Sequence, residues 1–238
     1  ASGIPPPFPL PFEKTVSPEP GFNVAGCFTH EFDNGLQLVV PVDTDVTALE
    51  QTYRDVFGCP LGGAMLLAPG DVVVDVGAGL GLFGIYCESL FEAMPALRLL
   101  AIQTDDNDNN DDDNNDNSDR NDASDKVFEA LELNLRRFNC ESVCQRCASP
   151  CCMGDVLSLV GRQWPLQPIA LLRLDIGNQL REFLDLSHVL EWGGVRKVMV
   201  RCTASELDHA RIRLGQIGFE DVQHVALDDV GFVLASKS

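Results

Sequence analysis

Basic residues are scarce in this sequence. Its 238 residues include 17 Lys and Arg against 36 Asp and Glu, which gives a formal net charge of −19 at pH 7. Nucleic-acid binding depends on Lys and Arg that neutralise phosphates, and anionic membrane surfaces attract the same side chains. We therefore expect neither a nucleic acid nor a membrane as a binding partner.

Long apolar runs are missing as well. No stretch approaches the roughly 20 apolar residues of a membrane-spanning helix. Residues 1–14 have neither the basic start nor the continuous apolar segment of a secretory signal. Cys occurs 9 times, an odd number, in a chain long enough to bury a sizeable core without disulfides. These features favour reduced thiols and a cytoplasmic location.

Proline is concentrated at the start of the chain, with seven prolines in residues 1–20. Such a segment has little to bury, so we predict a Pro-rich N-terminal arm over residues 1–26. The alternative is a Pro-rich ligand for a partner protein. Residues 27–238 then form one domain, in keeping with usual domain sizes.

Hydrophobic patterning predicts an α/β domain. Residues 27–41 indicate a β-hairpin around Asn34-Gly35, a type I′ turn signal, and residues 46–57 indicate a helix. From residue 71 onward, short apolar runs alternate with helical periodicity, which is typical of a mostly parallel sheet. The last two strands have no helix between them and should pair as an antiparallel edge hairpin. The predicted strands are 71–76, 97–103, 169–176, 195–202, 221–227 and 231–236, with one more after residue 139, and the predicted helices are 80–90, 126–138, 180–192 and 206–217.

Residues 104–126 interrupt this alternation. The segment contains ten Asp and seven Asn, and its charge of −8 supplies almost half of the −19 of the chain. It has almost no apolar side chain with which to join a core. We predict an acidic, disordered insertion between a strand and the following helix.

The glycine-rich segment 69–84, PGDVVVDVGAGLGLFG, carries the strongest chemical signal. A predicted strand ends near Asp75, and Gly77, Gly79 and Gly81 follow before a helix begins. Glycines at such a turn allow a ligand to approach the backbone closely, and a helix start favours electron-rich groups. The alternative is a tight turn that only packs against the sheet.

Two kinds of nucleotide site compete for this turn. Gly79, Gly81 and Gly84 fit the G-x-G-x-x-G pattern of dinucleotide-binding folds, which favours a nicotinamide-dependent oxidoreductase. The acid before the first glycine, in D-V-G-A-G, instead resembles motif I of class I S-adenosylmethionine (SAM)-dependent methyltransferases. The antiparallel final strands also resemble that fold.

The resemblance extends to the FkbM-type methyltransferases over roughly residues 35–236. It rests on PGDVVVDVGAGLGLFG at the first strand, LLAIQT at the second, VFEALELNLRRFN on the next helix and IALLRLDIGNQL at the fourth strand. The resemblance implies a Rossmann-like, seven-stranded sheet and a SAM-dependent methyltransferase, with O-methyl transfer to an unidentified acceptor.

The resemblance also implies roles for individual residues. The fourth-strand acid, Asp175, would lie near the methyl-transfer centre and is the only candidate base. The second-strand position that holds the ribose is Gln103, and Asp155 is the candidate partner of the adenine amino group. The methionine end of the cofactor would be held by Asp75 and the turn residues Gly77, Ala78, Gly79 and Gly81.

This sequence departs from the family pattern at three acidic positions, which are occupied by Gln103, Gly177 and Leu180. Those acids would bind ribose and substrate. Their replacement favours a second hypothesis, in which the chain is a catalytically inactive methyltransferase-like scaffold or a subunit of a larger assembly.

Five cysteines cluster between residues 140 and 152 with the spacing C-x3-C-x2-C-x3-CC. Small buried or loop thiols are the first interpretation, and a zinc site or an iron–sulfur site are the alternatives. An extended strand would point Cys144 and Cys147 to opposite faces, which opposes the iron–sulfur site, whereas four thiolates within 13 residues could reach one tetrahedral zinc ion.

Overall fold

A computed structural model describes residues 25–59, 61, 64–91, 95–104, 117–147, 151–227 and 230–237. The predicted Pro-rich arm therefore lies outside the described residues, except for its last two. Residues 105–116 of the predicted acidic insertion lie outside them too.

The domain is built on a 7-stranded sheet. Its strands are β3 (Val72–Val76), β4 (Arg98–Thr104), β5 (Ser142–Cys147), β6 (Ile169–Leu174), β7 (Lys197–Thr203), β8 (Asp221–Leu227) and β9 (Val230–Ser236). They lie in the order β5-β4-β3-β6-β7-β9-β8. Neighbours from β5 to β7 run parallel, whereas β9 is antiparallel to both β7 and β8. This confirms the predicted α/β class and the C-terminal edge hairpin.

Helices cover both faces of the sheet. Alternate residues of β3 point to opposite faces, so that Val73 joins one core and Val72 and Val74 join the other. One face packs against α1 (Val46–Phe57), α2 (Leu82–Ser89) and α3 (Asn117–Arg137), and the other against α4 (Met153–Gln163), α5 (Leu180–Leu186) and α6 (Leu207–Ile217). Among the described residues, no helix combines the length and apolar character that a bilayer crossing requires.

The N-terminal hairpin is present, but its turn differs from the prediction. β1 (Cys27–Glu31) pairs antiparallel with β2 (Gln37–Pro41). The amide of Gly35 donates to the Phe32 carbonyl at 2.8 Å, and φ is positive at Gly35 (+82°) but not at Asn34. A type I′ turn needs positive φ at both central residues. The predicted turn type is therefore wrong, and Gly35 instead supplies the left-handed residue of a longer loop.

Helix α3 begins at Asn117, inside the segment predicted to be disordered. The prediction is wrong for residues 117–126. Leu131 and Leu135 are fully buried and anchor the C-terminal half of the helix. Once that half is formed, each further turn of helix costs little free energy.

The helix predicted over 180–192 is broken in two. Helix α5 ends at Leu186, Ser187 is extended, and a 3₁₀ helix follows at Val189–Gly194. The His188 amide donates to the Glu191 carboxylate at 2.9 Å, and His188 Nδ1 accepts from the amide of Leu190. This local capping competes with a continuous helix, which periodicity alone does not reveal.

The buried side chain of Asn134 attaches the hairpin to the rest of the domain. Its Oδ1 accepts from the Val39 amide at 2.8 Å, and its Nδ2 donates to the carbonyls of Val39 and Leu80 at 3.0 and 3.1 Å. One side chain on α3 thus forms hydrogen bonds with the backbone of Val39 in β2 and with the backbone of Leu80 in the glycine-rich turn after β3. This gives a structural role to the Asn of the F-x-x-L-x-x-N pattern.

We predict that Asn134→Ala lowers the free energy of unfolding by about 3 kcal/mol, because two buried backbone groups of Val39 and one partly buried group of Leu80 lose their partner. The matched control is Arg136→Ala, an exposed position on the same helix, with an expected change within about 0.5 kcal/mol. Urea unfolding followed by circular dichroism measures both. Equal stability of the two variants would contradict the role assigned to Asn134.

Candidate functional site

The glycine-rich turn lies at the carboxyl end of β3, where a parallel sheet normally binds its ligand. A Cβ on Gly77 would lie 1.9 Å from the Asp175 carbonyl oxygen, so β6 leaves no room for a side chain there. The amides of Gly77 and Ala78 both donate to the Ile102 carbonyl at the end of β4. The turn is therefore fixed between its two neighbouring strands.

Two cavities open beside this turn, with volumes of about 350 and 360 Å³. Each is within the size range of small-ligand pockets. The helix-side cavity lies against α1 and is lined by Thr44, Asp45, Thr52, Phe83 and Arg173, among others. The strand-side cavity is lined by Gln103, Thr104, Ile176, Gly177 and Asn178. Both also contain Gly77, Gly79 and Asp175.

Gln103 joins the glycine turn to the end of β4. Its Oε1 accepts from the Gly79 amide at 3.1 Å, and its Nε2 is 3.4 Å from the Thr104 carbonyl. A Cβ on Gly79 would meet no atom within 4 Å, although its φ is +54°. Gly79 therefore faces open space in both cavities, and Gln103 forms the wall beside it.

The structure brings together several of the residues predicted from sequence and leaves others apart. Gly77, Gly79, Gln103 and Asp175 line the strand-side cavity, and Ala78 lines the helix-side cavity. Asp75, Gly81 and Asp155 are not among the lining residues of either cavity.

These three residues have structural contacts instead. Asp75 is buried beneath the turn, and Gly81 is the N-cap of α2 and lies close to Leu131 and Leu135. The carboxylate of Asp155 accepts from the Cys152 amide at 3.0 Å in the first turn of α4. Its role toward adenine stays a prediction.

A buried ion network forms the floor of the helix-side cavity. Arg173 Nη1 donates to Asp75 Oδ1 at 2.7 Å, and its Nη2 donates to Asp175 Oδ2. Asp175 Oδ1 also accepts from Arg201 at 3.3 Å, and Arg201 Nη2 pairs with Asp55 of α1 at 2.6 Å. The network links β3, β6 and β7 to α1.

Burial and charge act in opposite directions on this network. Burial raises the pKa of Asp75 above its usual value, and the Arg173 charge and hydrogen bond only partly offset the effect. Burial by itself lowers the pKa of Arg173, but the charges of Asp75 and Asp175 outweigh it, so the pKa is raised. The Arg173 guanidinium also lies over the Phe83 ring at 4.8 Å, which adds a cation–π contact. Arg173 therefore stays charged.

These pairs hold Asp175 in place. Each of its carboxylate oxygens accepts from a guanidinium group. Two such charge-assisted hydrogen bonds fix the orientation of the carboxylate. Asp175 lies at the carboxyl edge of the sheet, where it lines both cavities, and its contacts fit a positioning role. Its role as a base stays a prediction.

Sequence reasoning missed Arg173, Arg201 and Asp55. A signal was available for Arg173, since it interrupts the apolar run IALLRL of a strand that is buried on both faces. A charge in such a run requires a buried partner. Arg201 gives a similar signal, since it interrupts the apolar run VMVRC of β7. No comparable signal marks Asp55, because polar residues are common along an amphipathic helix such as α1.

Leu180 also departs from the expected pattern of site acids. It is 1% exposed and packs in the core with Phe183 and Leu184. Gly177, by contrast, lines the strand-side cavity. The three replaced acids therefore differ in consequence, since the positions of Gln103 and Gly177 border a cavity and that of Leu180 does not.

Comparison with solved structures identifies proteins of similar fold. No family model matches the sequence, and no curated protein matches it. A ribosomal protein L11 methylase from Lactobacillus delbrueckii subsp. bulgaricus is similar in structure, with TM-score 0.50 and 16% identity over 79% of this chain and 80% of that one. A SAM-dependent methyltransferase from Aquifex aeolicus has TM-score 0.50 and 12% identity over 81% and 98%. The METTL16 MTase domain has TM-score 0.51 and 11% identity over 88% and 86%. The chain thus has a Rossmann-like methyltransferase fold, as the glycine turn indicated.

We predict that Arg173→Met lowers the free energy of unfolding by about 3–5 kcal/mol near neutral pH, because it leaves Asp75 as an uncompensated buried charge. Without Arg173, burial raises the pKa of Asp75 further above its ordinary value of 3.8. The folded variant then binds a proton that the unfolded chain lacks, so its stability falls as pH rises above that value. Urea unfolding at pH 5 and pH 8 should show the smaller loss at pH 5.

The matched control is Arg196→Met, which removes another Arg–Asp pair, to Asp71, with an Arg side chain that is 54% exposed. Its expected cost is at most about 1 kcal/mol. A similar loss in both variants, or a loss for Arg173→Met that does not change with pH, would contradict the burial argument.

Proposed function

We propose that this chain is a SAM-dependent methyltransferase. The observation that carries the proposal is Gly79, which has a positive φ, no neighbour at its Cβ position and a place in both cavities. The similarity of the fold to solved methyltransferases supports the same reading. In its finer form the proposal is an FkbM-type enzyme that transfers the methyl group to an oxygen of an unidentified acceptor.

The cavities fit the parts of the cofactor. The strand-side cavity, with the Gln103 amide at its edge, suits the adenosyl part, since an amide can accept one ribose hydroxyl bond and donate another. The helix-side cavity, with Asp45 and Asp175, suits the positively charged amino group of the methionine part. The amides of Gly77 and Ala78 already donate to the Ile102 carbonyl, so they hold the turn in shape and would not serve as donors to the ligand.

The bound cofactor would supply an electrophilic methyl group on a sulfonium. The contribution of the chain is to bind and orient the reactants, which is a large part of catalysis for a direct displacement. Asp175 lies where both cavities meet. Its carboxylate is held by two arginines and would help to orient the cationic part of a bound cofactor.

An inactive methyltransferase-like scaffold is the second candidate. It is favoured by Gln103, whose Oε1 is occupied by the Gly79 amide, and by the absence of an acid at Gly177. The two candidates differ in cofactor binding and in turnover. A chain that binds the cofactor and still transfers no methyl group to any acceptor would fit the scaffold.

We predict micromolar, one-to-one binding of SAM or S-adenosylhomocysteine to the full chain in calorimetry, with NAD as the negative control. Gly79→Asn should weaken binding at least about tenfold, because Asn tolerates a positive φ and places a side chain in both cavities. Gly70→Asn is the matched control, at the amino end of β3 with φ +85° and no atom within 4 Å of its Cβ position. No binding by the folded chain at millimolar ligand would refute the cofactor proposal.

We further predict that Gln103→Glu tightens SAM binding roughly tenfold, since a carboxylate can accept from both ribose hydroxyls and charge-assisted hydrogen bonds are about twice as strong as neutral ones. The control is Gln145→Glu, which adds the same charge on the neighbouring strand beside Ile102. Calorimetry with both variants measures the effect. Unchanged affinity in Gln103→Glu would mean that the ribose does not reach the end of β4.

A further inference from the structure

A second cluster of reactive side chains lies on the opposite face of the sheet from the ion network. Cys147 ends β5, Cys151 precedes α4, and Asp155 lies in its first turn. One ligand atom from each of them, two sulfurs and one carboxylate oxygen, lie within 4.8 Å of one another. Ligand atoms that share a tetrahedral ion lie about 3.5–3.8 Å apart, so small side-chain rotations would complete such a site.

The predicted division of the cysteines between two faces is confirmed. Cys144 packs with the core on the α1 side, whereas Cys147 packs with the core on the α4 side, together with Cys151. All nine cysteines are among the described residues, and none forms a disulfide. The strand therefore separates Cys144 from the cluster and leaves Cys147 in it.

The side chains of this cluster are of the kinds that bind metal cations. Cys147 and Cys151 each offer a sulfur, and Asp155 offers a carboxylate oxygen. Thiols bind a metal ion as thiolates, so an ion bound here would replace the two thiol protons.

We propose that Cys147, Cys151 and Asp155 bind one Zn²⁺ ion. Two thiolates suit zinc, and a carboxylate is an accepted third ligand, whereas Mg²⁺ and Ca²⁺ prefer oxygen alone. A common iron–sulfur cluster needs four thiolates, and this group supplies two. The fourth position on the ion is left for water. Binding releases the two thiol protons and changes no oxidation state.

The ion would connect the carboxyl end of β5 to the start of α4. Asp155 already accepts from the Cys152 amide, which fixes its carboxylate near both sulfurs. The same carboxylate is the sequence-based candidate for the adenine amino group. The zinc site does not depend on the proposed methyltransferase activity, and it assigns Asp155 to the metal.

The experiment is a zinc titration of the stripped, reduced full chain in competition with a chromophoric chelator. Millimolar Mg²⁺ is included so that it occupies carboxylate groups, such as those of the Asp-rich residues 104–126, and reduces nonspecific zinc binding to them. We expect one Zn²⁺ per chain, and a thiolate-to-metal charge-transfer band when Co²⁺ replaces Zn²⁺. We expect weaker zinc binding, by more than about tenfold, in each of the variants Cys147→Ser, Cys151→Ser and Asp155→Asn. A tenfold loss is the smallest that is typical when only a hydrogen-bond partner of a metal ligand is removed, and loss of a ligand itself should cost more.

Cys144→Ser is the matched control, since Cys144 lies on the same strand and on the opposite face. It should keep the wild-type affinity and the Co²⁺ band. Circular dichroism checks the fold of each variant. If a cysteine variant does not fold, Asp155→Asn provides the test, because the amide oxygen of Asn can still accept from the Cys152 amide and cap α4. Zinc affinity that is unchanged in Asp155→Asn, equally weakened in Cys144→Ser, or absent from the folded wild-type chain would overturn the proposal.

Discussion

The carboxyl edge of the sheet depends on the buried guanidinium of Arg173. It is 4% exposed and contacts Asp75, from the neighbouring strand, and Asp175, two residues along its own chain. Burying a charge costs free energy, and the ion pairs of Arg173 with Asp75 and Asp175 offset that cost. Arg201 extends the network to Asp55, which attaches α1 to the same edge. The walls of the helix-side cavity are therefore positioned by charge pairing as well as by apolar packing.

The glycine turn is a consequence of the same close approach of β3 and β6. The Asp175 amide donates to the Val76 carbonyl at 2.9 Å, and this bond brings the Asp175 carbonyl to the place where a Cβ of residue 77 would be. A glycine at position 77 thus follows from strand pairing, whether or not a ligand binds. Gly84 is similar, because a Cβ there would lie 2.4 Å from the Leu99 side chain. Close packing within the fold explains why positions 77 and 84 are glycines, so these two residues give little information about function.

Local patterns predicted the elements well and the contacts between distant elements poorly. Helix α1 and the final hairpin have the predicted positions, because periodicity and strand order are local properties. The Asp75–Arg173 pair joins residues 98 positions apart, and no local pattern specifies such a partner. The sequence places the start of α3 too late, because its acidic first turns have no apolar periodicity of their own. They extend a helix whose C-terminal half is anchored by Leu131 and Leu135. Within the candidate site, the turn residues were predictable, but the engagement of both Asp175 oxygens depends on Arg201 of β7.

Gly79 differs from Gly77 and Gly84 in its surroundings. It has no atom within 4 Å of its Cβ position, so packing does not explain a glycine there. Its φ of +54° favours glycine, although Asn139 adopts a similar φ of +53°. A side chain at position 79 would occupy the shared part of the two cavities. The cofactor that we propose needs this space, and for that reason we prefer cofactor binding to the scaffold.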